Sequence, residues 1–191
     1  MTRSALIFLV VLTGAATALG KPAKKSDPPP KPKSLLGQKA PDFTLKDYRN
    51  RPWRLSALKG QKIVVIEFGI TGCYCGRRGL EDLQWMHRDF GPKGVQCLAI
   101  GLEAHPLQPI PEFMKERKLS FPFLTDPGGK VAAAYHAEIA PYVVIVDKAG
   151  VVRWVESNFA EDLAWKVSLQ LSKMLPAKKT PTKVKSPPKK V

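Results

Sequence analysis

Between residues 35 and 176, short apolar runs alternate with segments in which apolar residues recur every three or four positions. The runs KIVVIEFGI (62–70) and VQCLAIGL (95–102) are rich in β-branched residues, which is typical of strands buried on both faces. Residues 76–90 have the apolar spacing of a helix, and Gly91-Pro92 predicts its end.

Two hairpins frame these elements. The polar turn 46–51 separates short strands at 42–45 and 53–55, and Asp147–Gly150 is a hairpin turn signal between two later apolar runs. Strands that alternate with helices and end in a hairpin predict an α/β fold, with one central mixed sheet, helices on both faces and an N-terminal β-hairpin extension. The remaining predicted elements are strands over 121–124, 142–146 and 151–155 and helices over 111–119, 130–136 and 159–175, the last with Asn158 as its N-cap.

The first 20 residues, MTRSALIFLVVLTGAATALG, have the layout of a signal peptide. Arg3 precedes an apolar run over residues 5–19, which small residues follow. The run is shorter than the roughly 20 residues that a membrane-spanning helix needs. We therefore expect a periplasmic or secreted protein that is not an integral membrane protein once the signal is cleaved.

The net charge of +15 is concentrated at the ends of the chain. Residues 21–34 hold five lysines and residues 177–191 hold six, both among prolines. Such segments cannot bury enough apolar surface to fold, so we expect a disordered linker and a disordered tail on either side of a domain at 35–176. In an exported protein these basic segments favour contact with anionic envelope surfaces over a specific nucleic-acid partner.

Three cysteines, at 73, 75 and 97, are too few and odd in number for a disulfide framework. Cys73 follows a buried strand and lies where a helix begins, a place where backbone N–H groups and the helix dipole lower a thiol pKa. Cys75 is close enough to attack a mixed disulfide on Cys73. A Cys-x-Cys disulfide ring is tighter than that of Cys-x-x-Cys, which predicts a more easily reduced bond. Cys97 lies in an apolar strand and is expected to be buried and inert.

The segment FGITGCYCGRR resembles the active-site segment F-W-A-T-W-C-x-x-C-R of thioredoxin-like redoxins, especially the TlpA-like disulfide reductases. Aligned without a gap, Phe68, Thr71, Cys73 and Arg77 match the pattern, whereas Gly76 takes the place of the second cysteine. Two further segments, LLGQKAPDFTLKD and IAPYVVIVDKAG, resemble the entry and the late proline segment of AhpC/TSA-type redoxin domains.

The resemblance implies a thioredoxin-like fold and an exported thiol–disulfide oxidoreductase without a cofactor. Its partners would be protein thiols or disulfides, or small-molecule disulfides, and an electron donor. It implies Cys73 as the nucleophile, Cys75 as the resolving thiol, and a cis peptide before Pro141 that faces the cysteines and binds substrate with Ala140 and Thr71. A proline that starts a strand is otherwise an ordinary edge residue, and the residues alone leave both interpretations open.

Glu67 is an acid inside an apolar strand, where an unpaired charge is costly. It matches the position of the buried aspartate of thioredoxin. One interpretation is a proton acceptor for the resolving thiol, with a pKa raised by burial. The alternative is a strand residue whose carboxylate faces solvent or pairs with a lysine.

Two other functions agree with parts of the sequence. Peroxiredoxins share the A-P-D-F entry but carry Thr three residues before the reactive cysteine, where Ile70 stands here, and no proline lies between Gln61 and Cys73. A non-enzymatic copper-binding module is the second, because soft thiolates select Cu(I). Related copper chaperones have a wider Cys spacing and a His at the position of Ala140, and the three histidines of this chain are scattered.

Overall fold

The alternation of apolar runs and helical segments produces the predicted order of elements. The computed structural model describes residues 34–103, 105–106, 108–157 and 162–176. The strands of the described part are β1 (Thr44–Asp47), β2 (Pro52–Arg54), β3 (Ile63–Gly69), β4 (Val95–Gly101), β5 (Phe123–Thr125), β6 (Tyr142–Val146) and β7 (Val152–Glu156). Its α-helices are α1 (Tyr74–Phe90), α2 (Ile110–Glu116), α3 (Lys130–Ala134) and α4 (Leu163–Met174), and 3-10 turns cover Leu55–Leu58 and Gly91–Lys93.

The strands form one sheet in the order β2-β1-β5-β4-β3-β6-β7. The central pairs β3–β4 and β4–β5 are parallel, while β6 runs antiparallel to β3 and β1 runs antiparallel to β5. This confirms the predicted mixed sheet with an N-terminal hairpin. The apolar β3 is buried along its whole length because it pairs with β4 on one side and β6 on the other.

Helices cover both faces of the sheet, as predicted. Side chains alternate along β3, so Val65 faces the core formed with α1, α2 and α4, while Ile66 faces the core formed with the α3 side. Glu67 follows Ile66 and therefore points to the α1 side. Fully buried members of that core include Leu80 and Leu83.

Several element boundaries differ from the prediction by one to three residues, for example at the end of α2, which lies at Glu116 and not at 119. The helix α1 begins at Tyr74, two residues earlier than predicted, because Cys73 itself acts as its N-cap. The last helix begins at Leu163, and the predicted cap Asn158 lies outside the described residues.

Both predicted terminal segments also fall outside the described part of the chain. This applies to the signal peptide (1–20), to the linker (21–34) except Ser34, and to the tail (177–191). In the part that the structure describes, no helix combines the length and apolarity required to cross a membrane.

Candidate active site

The two close cysteines lie where β3 gives way to α1. Cys73 is the N-cap of the helix with extended backbone (φ −118°, ψ 162°), and the Gly76 N–H donates to its Sγ at 3.1 Å. The Sγ atoms of Cys73 and Cys75 lie 2.6 Å apart, and both residues are half-buried. A hydrogen bond from a backbone N–H favours the thiolate form of a cysteine. The geometry therefore provides an anion site at Cys73 with a second thiol in contact.

Cys75 holds its proton more tightly than an ordinary thiol. The hydrogen bond with Cys73 raises the pKa of Cys75, and burial and the charge of Cys73 raise it further. The hydrogen bond from the Gly76 N–H is made to the sulfur of Cys73, so the two thiols differ in their surroundings. The roles of nucleophile for Cys73 and resolving thiol for Cys75 stay predictions.

Gly76, at the position of the family's second cysteine, has no room for a side chain. A Cβ atom there would overlap the backbone carbonyl oxygen of Ile70 and would lie 2.8 Å from Cγ1 of the same residue. The obstructing oxygen belongs to the backbone, so it cannot turn away as a flexible side chain could. With this backbone, the second thiol of the first helical turn fits at residue 75 and not at residue 76.

Glu67 is completely buried behind the helix. Among the described residues, neither carboxylate oxygen has a hydrogen-bond partner. Burial raises the pKa of Glu67 well above its ordinary value, and the nearby charge of Asp82 on α1 raises it further. The alternative in which Glu67 faces solvent or pairs with a lysine is therefore wrong, and Glu67 is a buried acid that favours its neutral form.

Gly79, which the sequence pattern did not single out, makes room for Glu67 and Pro141. A Cβ at Gly79 would overlap Oε1 of Glu67 and lie 3.1 Å from the Cβ of Pro141. The helix can therefore approach both residues only because this position is a glycine. The peptide between Ala140 and Pro141 is cis, as the resemblance implied. A glycine inside a helix costs about 0.5–1 kcal/mol relative to alanine, so such a residue is a sequence signal of close approach.

Glu103 is a second residue that the sequence pattern did not single out. Its carboxylate accepts hydrogen bonds from the Thr71 hydroxyl at 2.6 Å and from the Gly72 N–H at 2.7 Å. Thr71 is only 4% exposed, so its side chain is occupied by Glu103. The predicted contact of Thr71 with substrate stays a prediction. With the side chain held by Glu103, such a contact would be made by the Thr71 backbone.

The other thiol and the histidines lie apart from this cluster. Burial, together with the charge of Glu67, raises the pKa of Cys97 to about 12, which fits the expected inert residue. His87 packs edge-on against the ring of Phe121, about 20 Å along α1 from Cys73. Within the described ranges, no group of three His, Cys, Asp or Glu side chains is arranged to hold a metal ion.

Comparison with known proteins finds relatives in one family of redox proteins. The family model described as AhpC/TSA matches residues 36–155. A thiol-disulfide oxidoreductase ResA of Bacillus cereus is 27% identical over 171 residues, which cover 90% of this chain and 95% of that protein. A putative chloroplastic peroxiredoxin Q of Oryza sativa subsp. indica is 29% identical over 132 residues, covering 64% of this chain and 58% of that protein.

Solved structures confirm the predicted fold. The crystal structure of a putative thiol:disulfide interchange protein DsbE from Chlorobium tepidum superposes with a TM-score of 0.67 at 24% identity. The superposition covers 74% of this chain and 98% of that one. Together with the mixed seven-stranded sheet of the described residues, this likeness confirms the thioredoxin-like α/β fold.

Proposed function

Because the chain belongs to the AhpC/TSA family, we propose that it is an exported thiol–disulfide oxidoreductase with Cys73 as nucleophile and Cys75 as resolving thiol. The observation that carries the proposal is the pair of sulfurs 2.6 Å apart in the first turn of α1, with a backbone N–H donated to Cys73. The activity named for the ResA relative supports the same chemistry.

The reaction is two successive exchanges of sulfur–sulfur bonds. The Cys73 thiolate attacks one sulfur of a partner disulfide, forming a mixed disulfide and releasing the first partner thiolate. The Cys75 thiol then loses its proton and attacks Sγ of Cys73, which forms the 73–75 disulfide and releases the second partner thiolate. Two electrons pass from the cysteine pair to the partner, and an electron donor restores the dithiol. The same steps in reverse would oxidise a partner dithiol.

Glu67 is the proposed proton acceptor for Cys75. Its raised pKa, caused first by burial and then by Asp82, gives a carboxylate that binds a proton more strongly than an ordinary glutamate. The absence of hydrogen-bond partners for its oxygens among the described residues leaves both available for a proton. Since Cys75 has a raised pKa, its resolving step needs such an acceptor.

The proposed substrate is an extended polypeptide that carries a disulfide or a thiol pair. Tyr74, between the two cysteines, is 71% exposed, and Ile139, next to the cis Ala140–Pro141 peptide, is 53% exposed. Exposed apolar side chains beside a reactive thiol favour a protein partner over a small polar molecule. Ala140 and Pro141 are the proposed backbone contacts.

Export and the basic ends complete the proposal. The charged start and apolar run of residues 1–20 support secretion or a periplasmic location, where a disulfide chemistry can persist. The lysine-rich residues 21–34 and 177–191 would bring the enzyme to anionic envelope surfaces.

Alkylation and mass spectrometry of reduced and oxidised protein test the mechanism. We expect oxidised wild type to contain a 73–75 disulfide, Cys73→Ser to lose insulin reduction, and Cys75→Ser to accumulate mixed disulfides. Cys97→Ser is the matched control and should behave as wild type, because Cys97 is buried. If no 73–75 disulfide ever forms and Cys75→Ser keeps full activity, the dithiol mechanism is wrong.

The same variants separate the two alternatives. Hydrogen-peroxide consumption that survives loss of Cys75 would favour a thiol peroxidase. Stoichiometric Cu(I) binding that requires Cys73, without any insulin reduction, would favour a copper-binding module.

A further inference from the structure

The segment that leads into Cys73 is bound from the neighbouring strand as well as from its own helix. The last backbone hydrogen bond between the ends of β3 and β4 runs from the Leu102 N–H to the Gly69 carbonyl at 3.0 Å. One residue later, the Glu103 carboxylate accepts two hydrogen bonds from the segment that follows β3. One oxygen accepts from the Thr71 hydroxyl and the other from the Gly72 N–H. The side chain thus continues the attachment of β4 to the chain that follows β3.

The second attachment comes from α1. Arg77 donates through Nη1 to the Thr71 carbonyl at 3.4 Å, and its backbone N–H donates to the Cys73 carbonyl at 3.1 Å. The two attachments are unequal: both bonds to Glu103 are short and have a charged acceptor, whereas the Arg77 side-chain bond is long. Both attachments involve an ionised side chain, so their lengths decide: 2.6 and 2.7 Å for the two bonds to Glu103 against 3.4 Å for the Arg77 side-chain bond. Glu103 therefore carries most of the restraint on Thr71 and Gly72.

We propose that Glu103 is a positioning residue: it fixes Thr71 and Gly72 so that Cys73 stays at the N-cap with its Sγ on the Gly76 N–H. This inference rests on the proposed function of Cys73 as the nucleophile. Glu103 acts through the loop, since its oxygens contact Thr71 and Gly72 while the donor to the Cys73 sulfur is Gly76. Releasing the loop would let Cys73 leave the N–H that stabilises its thiolate.

A purely electrostatic role for Glu103 predicts the opposite sign. A carboxylate near a thiol disfavours the thiolate, so removal of its charge alone would lower the pKa of Cys73. Removal of the positioning contacts would raise that pKa, because the thiolate would lose its backbone donor. The direction of the change therefore separates the two roles.

The test uses four variants of the purified protein. For each variant, the rate of alkylation of Cys73 by iodoacetamide is measured against pH, and mass spectrometry identifies the labelled cysteine. Glu103→Ala removes charge and contacts, while Glu103→Gln removes the charge but keeps a carbonyl for Gly72 and an amide for the Thr71 hydroxyl. Thr71→Val keeps the charge and removes one contact. Glu112→Gln, on the exposed side of α2, is the charge-matched control.

We expect the alkylation midpoint of Glu103→Ala to lie about one pH unit above that of Glu103→Gln, the size expected for one hydrogen bond to a charged sulfur. The alkylation midpoint of Thr71→Val should lie above that of wild type by less than one pH unit, and the midpoint of Glu112→Gln should equal that of wild type. The alkylation rate at high pH should stay unchanged in all variants, whereas disulfide exchange at pH 7 should be about tenfold slower in Glu103→Ala than in Glu103→Gln, in proportion to the difference in thiolate.

Two results would overturn the inference: equal midpoints for Glu103→Ala and Glu103→Gln, or a wild-type midpoint for Thr71→Val. If Glu103→Ala fails to fold, as judged by circular dichroism, Thr71→Val decides alone. A wild-type Cys73 that shows no disulfide exchange at any pH would instead refute the proposed function, and the midpoints of the variants would still report on Glu103.

Discussion

Replacement of Glu67 should stabilise the protein at neutral pH, and more so as the pH rises. The structure buries this carboxyl completely and gives it no hydrogen-bond partner among the described residues. Burial, and after it the charge of Asp82, raises the folded-state pKa of Glu67. The unfolded chain therefore releases this proton at a lower pH than the folded chain does. Between the two pKa values the unfolded state binds fewer protons, so the free energy of unfolding falls as pH rises.

The magnitude follows from two separate contributions. The free energy of unfolding falls by about 1.4 kcal/mol for each pH unit between the unfolded pKa, about 4.3, and the raised folded pKa, because only the unfolded chain releases the proton there. The two unsatisfied oxygens cost a further contribution of about 1–3 kcal/mol at every pH. Glu67→Gln removes the ionisation and keeps a polar group, while Glu67→Leu removes both contributions.

Urea unfolding of wild type, Glu67→Gln and Glu67→Leu between pH 4 and pH 9 measures both contributions. The free energy of unfolding of Glu67→Gln should nearly equal that of wild type at pH 4, and its excess over wild type should grow with pH. Glu67→Leu should have a still higher free energy of unfolding than Glu67→Gln, by an amount that does not depend on pH. Any misfit of the branched side chain against α1 would reduce this gain. Glu112→Gln, an exposed acid, should show no pH-dependent difference. A difference between Glu67→Gln and wild type that does not change with pH would refute the reasoning.

Three further predictions test other parts of the structure. Gly76→Cys and its control Gly76→Ala should both lose about 1–3 kcal/mol of unfolding free energy, because each adds a Cβ against the Ile70 carbonyl; a stable Gly76→Cys with a 73–76 disulfide would contradict this. Cys97 should resist alkylation at pH 8.5 in the native protein and react in urea, since burial raises its pKa to about 12; mass spectrometry of the labelled peptides decides. Asp47→Ala should lose about 2–3 kcal/mol in urea unfolding at pH 7, because the buried carboxylate of Asp47 accepts four hydrogen bonds from the β1–β2 turn and its flank.

The loss of unfolding free energy in Asp47→Ala should depend on pH. Burial alone would raise the pKa of Asp47, but hydrogen bonds from Arg51, Trp53 and Arg49 outweigh it and hold the pKa below its ordinary value. The wild-type advantage over Asp47→Ala is therefore complete above pH 4 and declines as the pH falls through the folded-state pKa. An advantage that persists unchanged at pH 2 would contradict this assignment.

The elements that the sequence predicted well are those whose signal is local. The strand β6 has the predicted bounds, Tyr142–Val146, and β3 differs by one residue at each end, because an unbroken β-branched run needs partners on both sides and has few alternatives. The start of α1 lies two residues before its predicted position, since its cap is a cysteine and not one of the usual capping residues. The placement of Cys73 at a strand–helix junction also depends on local signals, and that prediction is correct.

The contacts of Glu103 and Gly79 were beyond prediction because they depend on long-range packing. Glu103 is 31 residues from Gly72 along the chain, and no periodicity indicates that its carboxylate reaches that N–H. Gly79 approaches Glu67, which belongs to β3, and Pro141, which lies directly before β6. The one local signal was the presence of Gly76 and Gly79 in the first turns of α1. A glycine inside a helix lowers its stability, so two of them suggest that neighbouring groups occupy the space of a side chain.

These glycines also explain how a Cys-x-Cys pair is compatible with this fold. At the start of α1 the backbone passes so close to Ile70 that residue 76 can carry no Cβ, while residue 75 points its sulfur to Cys73. One turn further on, Gly79 lets the helix lie directly on the Glu67 carboxylate. The position of the second thiol is thus compatible with the close approach of the helix start to Ile70. Restoring the usual spacing would require the helix start to move, whereas the observed spacing places both sulfurs in contact with the helix as it stands.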